Sequence, residues 1–393
     1  MLAARIPAIQ AALAAANLDG WLFMCFQQND PVSQSFLGLS GLVSRRCYYL
    51  VPRAGEPHKL CHGIEPAMLD HLPGKKQLYS RWSEHAAGLK ALVAGCKRLA
   101  AQYSPNNELP GVSRLDAGTA ELLRAAGCEL VTSADLVQQF AAVWTPDQMA
   151  GHRRANVHLH RIVKEAFAFT GDALRAGRAI GEFEVQQFIT AAFHKEGLVW
   201  ADEPIVGVNG NAADPHYMPN AEKSQPIRKG DFLLIDLWAK EGAADSVYAD
   251  ITWCGVCAAA PTARQAEVWG VATAGRDAGL ALVQERYPKQ IVRGFEVDDA
   301  TRGVIERAGY GAKFIHRTGH SIHTTDHGPG ANIDNYETHD TRPLIAGTCF
   351  SIEPGIYFAG DFGVRTEINV LLRPDAAEVT GAEPQGDLLC LLG

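Results

Sequence analysis

Three features of this 393-residue chain predict an α+β fold. Helical patterning fills residues 146–195, and short strand-like runs split by Gly, Asp and Pro turns dominate beyond it. Helices followed by a turn-rich sheet imply antiparallel hairpins packed under helices. Residues 1–144 instead mix short apolar runs with helical patterns, the texture of a separate, smaller α/β domain. Between the two lies Trp144-Thr145-Pro146-Asp147-Gln148. Thr145 suits a helix cap, Pro146 the first helical position and Gln148 the reciprocal capping contact. The expected domains are therefore 1–144 and 145–393, within the two or three that the length allows.

In chain order, residues 1–18 are Ala-rich, with Arg5 as an early charge and Pro7 and Gln10 interrupting the apolar run. They read as an amphipathic helix rather than a signal peptide, which needs an unbroken apolar block. Leu22-Phe23-Met24-Cys25-Phe26 and Cys47-Tyr48-Tyr49-Leu50-Val51 read as buried strands, and residues 86–101 as a helix. Further helices are expected from 146 to about 173, from 182 to 195 with Gly197 as the stop, and over 263–286.

Composition excludes several classes of function. Hydrophobic residues make up 47% and charged residues 20%, enough apolar material for sizeable cores. With 36 Lys and Arg against 44 Asp and Glu, the net charge is −8 and no basic run stands out, so nucleic acid is not an expected partner. No apolar stretch reaches the ~18 residues of a membrane span. Nine scattered cysteines fit reduced thiols and a cytoplasmic location. Cys254 and Cys257 form a lone C-x-x-C in a strand-like context and read as packed thiols.

Chemistry concentrates in the second domain. Phe232-Leu233-Leu234-Ile235-Asp236-Leu237-Trp238 is an apolar strand with one carboxylate, and a buried carboxylate needs a metal or an Arg beside it. After a turn-forming stretch over 240–246, a return strand over 247–256 carries Asp250 on the same face as Tyr248 and Thr252. Antiparallel pairing brings Asp236 and Asp250 to one face, where close like charges require a cation.

Gly363-Val364-Arg365-Thr366-Glu367-Ile368-Asn369-Val370-Leu371 alternates, with Arg365, Glu367 and Asn369 on its polar side. Glu353 ends another apolar strand, and Arg365 can brace a carboxylate with its fork of donors. Upstream of both, His316, His320, His323 and His327 fall within twelve residues of a Gly-containing loop. No Glu follows His316, and Gly319 and Pro329 break any helix, so a zincin H-E-x-x-H site is excluded. His216 stands in a separate Asn- and Gly-rich segment, where an isolated loop histidine is an equal reading.

Asp236, Asp250, His320, Glu353 and Glu367 together supply four carboxylates and one imidazole, the charge complement of two divalent cations. Such donors suit Mn, Co, Fe or Zn. Two such ions roughly 3.5–4 Å apart can hold a bridging hydroxide and polarise a carbonyl, which is hydrolytic chemistry.

Residues 145–393 resemble the pita-bread metallopeptidases, the superfamily of methionine aminopeptidase, aminopeptidase P and prolidase, because the five ligand types occur in that family's order. The resemblance implies that Asp236, Asp250, His320, Glu353 and Glu367 hold two divalent ions, manganese foremost and Co, Zn or Fe as alternatives, with Asp250 and Glu367 bridging. It implies that Glu353 also shuttles the proton, that His316 and His327 face substrate and that His216 steadies the tetrahedral intermediate. Residues 1–144 resemble the creatinase-like N-terminal domain, mainly in length and texture. Creatinase lacks the metal ligands, so its reaction is not implied.

The expected reaction is hydrolysis of the bond preceding proline in small peptides by a homodimer. The wording His316-Arg317-Thr318-Gly319-His320 is closer to that of the Xaa-Pro dipeptidases. Aminopeptidase P action on longer peptides, hydrolysis of a small non-peptide C–N bond and a non-catalytic binding module are the alternatives. The sequence departs from the family pattern in a longer spacing between Asp236 and Asp250, which leaves Asp245 as a weaker substitute ligand. It also departs at Trp238, Trp253 and Gly328, of which the two indoles are expected to reshape the substrate pocket.

Overall fold

The structure is a computed structural model that describes residues 2–393, arranged as two compact units, residues 2–141 and 142–393.

The first unit contains helices α1 (Leu2–Ala15), α2 (Pro31–Leu37), α3 (Trp82–Leu92), α4 (Ala117–Ala125) and α5 (Ala134–Val137). Its strands are β1 (Gly20–Cys25), β2 (Cys47–Pro52), β3 (His58–His62), β4 (Lys75–Tyr79), β5 (Arg98–Ala101) and β6 (Glu129–Thr132). They form a mixed sheet in the order β4-β3-β2-β1-β5-β6. Both faces of β1 are buried. Trp21, Phe23 and Cys25 pack with Ile9 and Leu13 of α1, whereas Leu22 and Met24 pack with Leu89 of α3 and Leu123 of α4. Alternation of side chains along a strand produces that division, and the sheet covered on two faces is the expected α/β arrangement.

The helix expected over 86–101 is displaced. It starts at Trp82 and ends at Leu92, and Arg98–Ala101 is a strand. Gly95, at φ +86, turns the chain away from helical geometry, and Leu99, Ala100 and Ala101 are more stabilised as a buried strand between β1 and β6.

The second unit contains α6 (Pro146–Arg175), α7 (Glu182–Lys195), α8 (Ala263–Arg286) and α9 (Gly294–Arg307). The start of α6 is as expected: the Thr145 hydroxyl accepts from the Gln148 N–H at 3.2 Å, and the Gln148 side chain accepts from the Thr145 N–H at 2.8 Å. The first sheet holds β7 (Leu198–Val199), β8 (Ile205–Val208), β9 (Phe232–Glu241) and β10 (Ala249–Val256), with β17 (Leu389–Cys390) at its far edge. The second holds β11 (Ser321–Ile322), β12 (Cys349–Ile352), β15 (Ile368–Leu372) and β16 (Ala377–Val379), and β13 (Gly355–Phe358) pairs with β14 (Phe362–Arg365) as a hairpin. The return strand of the first hairpin begins at Ala249, two residues later than expected, because residues 242–248 complete the turn.

Helices cover the outer faces. Leu233, Ile235 and Leu237 of β9 and Ile251 and Trp253 of β10 pack against Leu159, Val163 and Phe167 of α6. Phe350, Ile352, Ile368 and Val370 of the second sheet pack with Val283 of α8 and Val297 of α9. The residues between these positions point inward. On β9 and β10 they include Asp236, Asp250 and Thr252; on β12 and β15 they include Ser351 and Asn369. The polar faces of two otherwise apolar sheets therefore meet inside a pita-bread fold.

Candidate metal centre

In the β9–β10 register Asp236 lies opposite Thr252 and Asp250 opposite Trp238. The two carboxylates are thus diagonal neighbours on the inner face. Asn369 on β15 fixes Asp250 from across the gap: its Oδ1 accepts from the Asp250 N–H at 3.0 Å, and its Nδ2 donates to the Asp250 carbonyl at 2.6 Å. Thr252 joins the strands again, its hydroxyl donating to Glu367 Oε2 at 2.8 Å and accepting from Arg365 Nε at 3.0 Å. Arg365 forms a short ion pair with Asp236 Oδ2 and lies 4.0 Å from Glu353 Oε2.

His320 precedes β11, and its N–H donates to the Ser351 hydroxyl at 3.0 Å. That hydroxyl donates to Glu353 Oε1 at 2.9 Å, so one side chain positions two members of the set. The His320 Nδ1 lies 3.2 Å from the Ser321 carbonyl. A carbonyl only accepts, so Nδ1 carries a proton, and in the neutral imidazole this leaves the Nε2 lone pair facing the site, as in a metal-ligating histidine. Nε2 lies 3.2 Å from Glu353 Oε1 and 3.5 Å from Asp250 Oδ2. Ligand atoms of Asp250, His320 and Glu367 all fall within 4.8 Å of one another. All five expected ligands are therefore brought together.

Burying these charges together is costly. Burial, together with neighbouring carboxylates, raises Asp250 and Glu367 well above the ordinary carboxylate range. Burial raises Asp236 to about 6 even with Arg365 beside it. Burial also acts against ionisation of Glu353, but the cationic form of His320 and the Arg365 guanidinium outweigh it and hold Glu353 below its ordinary value. One oxygen each of Asp236, Asp250 and Glu367 is buried without a hydrogen-bond partner. Buried anionic oxygens without donors are costly. Divalent cations remove that cost, and the oxygen-rich donor set with one imidazole fits hard or borderline ions.

Other expected residues surround this cluster unequally. The His316 Nδ1 donates to the Arg317 carbonyl at 2.6 Å, and its Nε2 accepts from the Tyr357 hydroxyl at 2.8 Å. Burial holds His316 neutral, with its pKa near 4. His327 is exposed, its ring centroid 4.1 Å from that of His320, and the cationic form of His320 is the largest cause that pushes its pKa down, to about 3. His216 is exposed and lies in the electrostatic range of His327.

The departures from the family pattern separate. Trp238 shares the inner face, but Trp253 points outward into the α6 core, 5.8 Å from the His160 ring. The expectation that both indoles reshape the pocket therefore fails for Trp253, because residue parity on β10 sends it to the opposite face from Asp250 and Thr252. Asp245 is exposed in the hairpin turn, outside the cluster. A Cβ on Gly328 would stand 2.8 Å from the His323 Cβ and 2.9 Å from the Ser321 hydroxyl, so the loop has no room for a side chain there.

Sequence reading missed the bracing roles of Thr252, Asn369 and Ser351, and it missed Asp326. Asp326 is half-buried, its carboxyl group interacts with that of Asp250, and its Oδ1 is without a partner. Alternation predicted which strand residues face inward. It cannot predict where a turn-rich loop directs Asp326.

The model of metallopeptidase family M24 matches residues 152–374. A Xaa-Pro dipeptidase of Lactobacillus helveticus is 34% identical over 209 residues, 51% of this chain and 50% of that protein, so this chain spans about half the length of that relative. A probable dipeptidase PepE of Mycobacterium tuberculosis is 26% identical over 385 residues, 95% of this chain and 93% of the relative. Among solved structures, dipeptidase PepE from Mycobacterium ulcerans superposes with a TM-score of 0.72 at 23% identity, covering 99% of this chain and 98% of that one. The prolidase from Pyrococcus horikoshii superposes at 0.62 and 21% identity, covering 97% and 99%. With the family model matching more than half of its length, this chain belongs to metallopeptidase family M24.

Proposed function

We propose that the protein is a dinuclear metallodipeptidase that hydrolyses the bond preceding proline in Xaa-Pro dipeptides. The observation that carries the reading is the cluster of four carboxylates around one correctly tautomeric histidine, with buried oxygens left for cations. Asp236, Asp250, His320, Glu353 and Glu367 would hold the ions, manganese foremost. Bound divalent ions would supply water activation at neutral pH and polarisation of the scissile carbonyl.

The protein groups divide the remaining work. Glu353, oriented by the Ser351 hydroxyl and held ionised by the Arg365 guanidinium, takes the proton lost by the attacking water and returns it to the departing proline nitrogen. Arg365 keeps Asp236 charged and oriented. His316, held neutral by burial and oriented by the Tyr357 hydroxyl, and the exposed His327 and His216 face the incoming peptide. The names of the relatives support dipeptides as substrates. A homodimer and a cytoplasmic location belong to the same proposal. None of the described helices is long and apolar enough to cross a membrane.

An assay of metal-reconstituted protein on a Xaa-Pro dipeptide and a Xaa-Pro-Xaa tripeptide tests the reading. Turnover of the dipeptide alone is expected. Release of the first residue from the tripeptide would assign aminopeptidase P activity instead, and turnover of neither would remove proline specificity.

A further inference from the structure

The five-ligand set leaves one acidic group of the same cluster without a role. Asp326 sits in the loop between His320 and His327, and its ligand oxygen lies within 4.8 Å of ligand nitrogens of both histidines. Its carboxyl group faces that of Asp250, and each of the two has an oxygen without a hydrogen-bond partner. Asp250 is 5% exposed and Glu367, with a further orphaned oxygen, 3%. Two carboxylates in such contact must share either a proton or a cation. The buried, unsatisfied oxygens of Asp250 and Glu367 point independently to a cation at this place.

The loop is built to hold Asp326 there. The Gly328 N–H donates to the Ser321 carbonyl at 2.6 Å, the Thr325 hydroxyl donates to the His327 carbonyl at 2.9 Å, and Gly328 packs where no Cβ fits. Charge agrees with the placement. Asp236, Asp250, Glu353, Glu367 and Asp326 carry five negative charges. Two divalent ions supply four positive charges, and Arg365, paired to Asp236, supplies the fifth.

We propose that Asp326 is a sixth protein ligand of the metal centre, binding through a carboxylate oxygen the ion that also takes His320 Nε2. The proposal rests on the dinuclear reading above. It adds a hard oxygen donor to that ion, which favours an oxygen-preferring cation such as Mn over a tetrahedral Zn at this position.

Mn titration of the metal-free full-length protein tests it, with wild type compared against Asp326→Asn and Asp326→Glu by equilibrium dialysis and by the d–d absorption of the cobalt-substituted forms. Asn preserves size and hydrogen bonding but is a poor ligand, whereas Glu keeps the carboxylate. The expected result is two Mn per wild-type chain, a loss on the order of 10- to 100-fold in affinity for one ion only in Asp326→Asn, and substantial recovery in Asp326→Glu. Cobalt d–d bands are expected to change in the Asn variant. The melting temperature of metal-free Asp326→Asn is expected not to fall, which separates ligand loss from unfolding. Two Mn bound with wild-type affinities and unchanged cobalt bands in Asp326→Asn would overturn the ligand role and leave the dinuclear reading standing. Absence of Mn binding by the wild type would overturn both.

Discussion

Asn369 and Asp250 exchange two hydrogen bonds across the gap between the sheets, the Asn369 amide pairing with both the N–H and the carbonyl of Asp250 at 3.0 and 2.6 Å. The main chain of Asp250 is thereby fixed by a strand that otherwise shares no ladder with it. Asn369→Leu leaves both main-chain groups buried and unpaired. A loss of about 2–4 kcal/mol is expected from urea unfolding of the metal-free protein, with weaker metal binding in the loaded form. Wild-type values for both would show that Asp250 is positioned by other means.

Thr252 is a smaller joint of the same kind. Thr252→Val keeps the shape and removes the hydroxyl between Arg365 and Glu367. The expected cost is about 1–3 kcal/mol, because a buried guanidinium N–H and a carboxylate oxygen lose their partner. Thermal unfolding of metal-free protein measures it, and an unchanged midpoint would contradict the assignment.

Gly328 occupies a position where a side chain collides with His323 and Ser321. Gly328→Ala is expected to lower stability by about 1–3 kcal/mol through overpacking. Chemical denaturation gives the value, and a neutral substitution would mean that the loop relaxes freely.

His152 supplies the pH dependence. It is fully buried, its Nδ1 donating to the Tyr248 carbonyl and its Nε2 accepting from the Thr380 hydroxyl, each at 2.7 Å. Burial lowers its pKa from 6.5 to about 4. The unfolded chain therefore takes up this proton first. The stability associated with neutral His152 is complete above pH 6.5 and is lost as pH falls from 6.5 toward 4. Between pH 7 and 5 that loss is on the order of 2 kcal/mol, and His152→Gln is expected to remove it from the pH profile. Parallel profiles for wild type and variant would contradict the buried neutral histidine.

The sequence revealed most of the site for a reason that Asp236 and Asp250 illustrate. A single carboxylate in an apolar strand is costly unless it has a partner, so its presence in the sequence already implies one. Period-two alternation then assigns its face, which also explains why Glu367 and Asn369 were legible together. Trp253 shows the same rule applied too late: parity with Asp250 already placed it on the outer face. Asp326 and the boundary of α3 were less legible. The first depends on how a loop packs around Gly328. The second depends on Leu99 and its neighbours being buried in a sheet whose partners lie some 70–80 positions upstream. Neither carries a local periodic signal.

On the proposed function, five side chains between residues 236 and 367 hold two cations. Metal content measured by mass spectrometry after Mn reconstitution and removal of free metal tests it most directly, on wild type and on Glu367→Ala. Two Mn per wild-type chain and loss of bound metal in the variant are expected, since removal of one proposed carboxylate ligand leaves the ions undercompensated. A wild type that retains no Mn, or a Glu367→Ala variant that retains two, would contradict it.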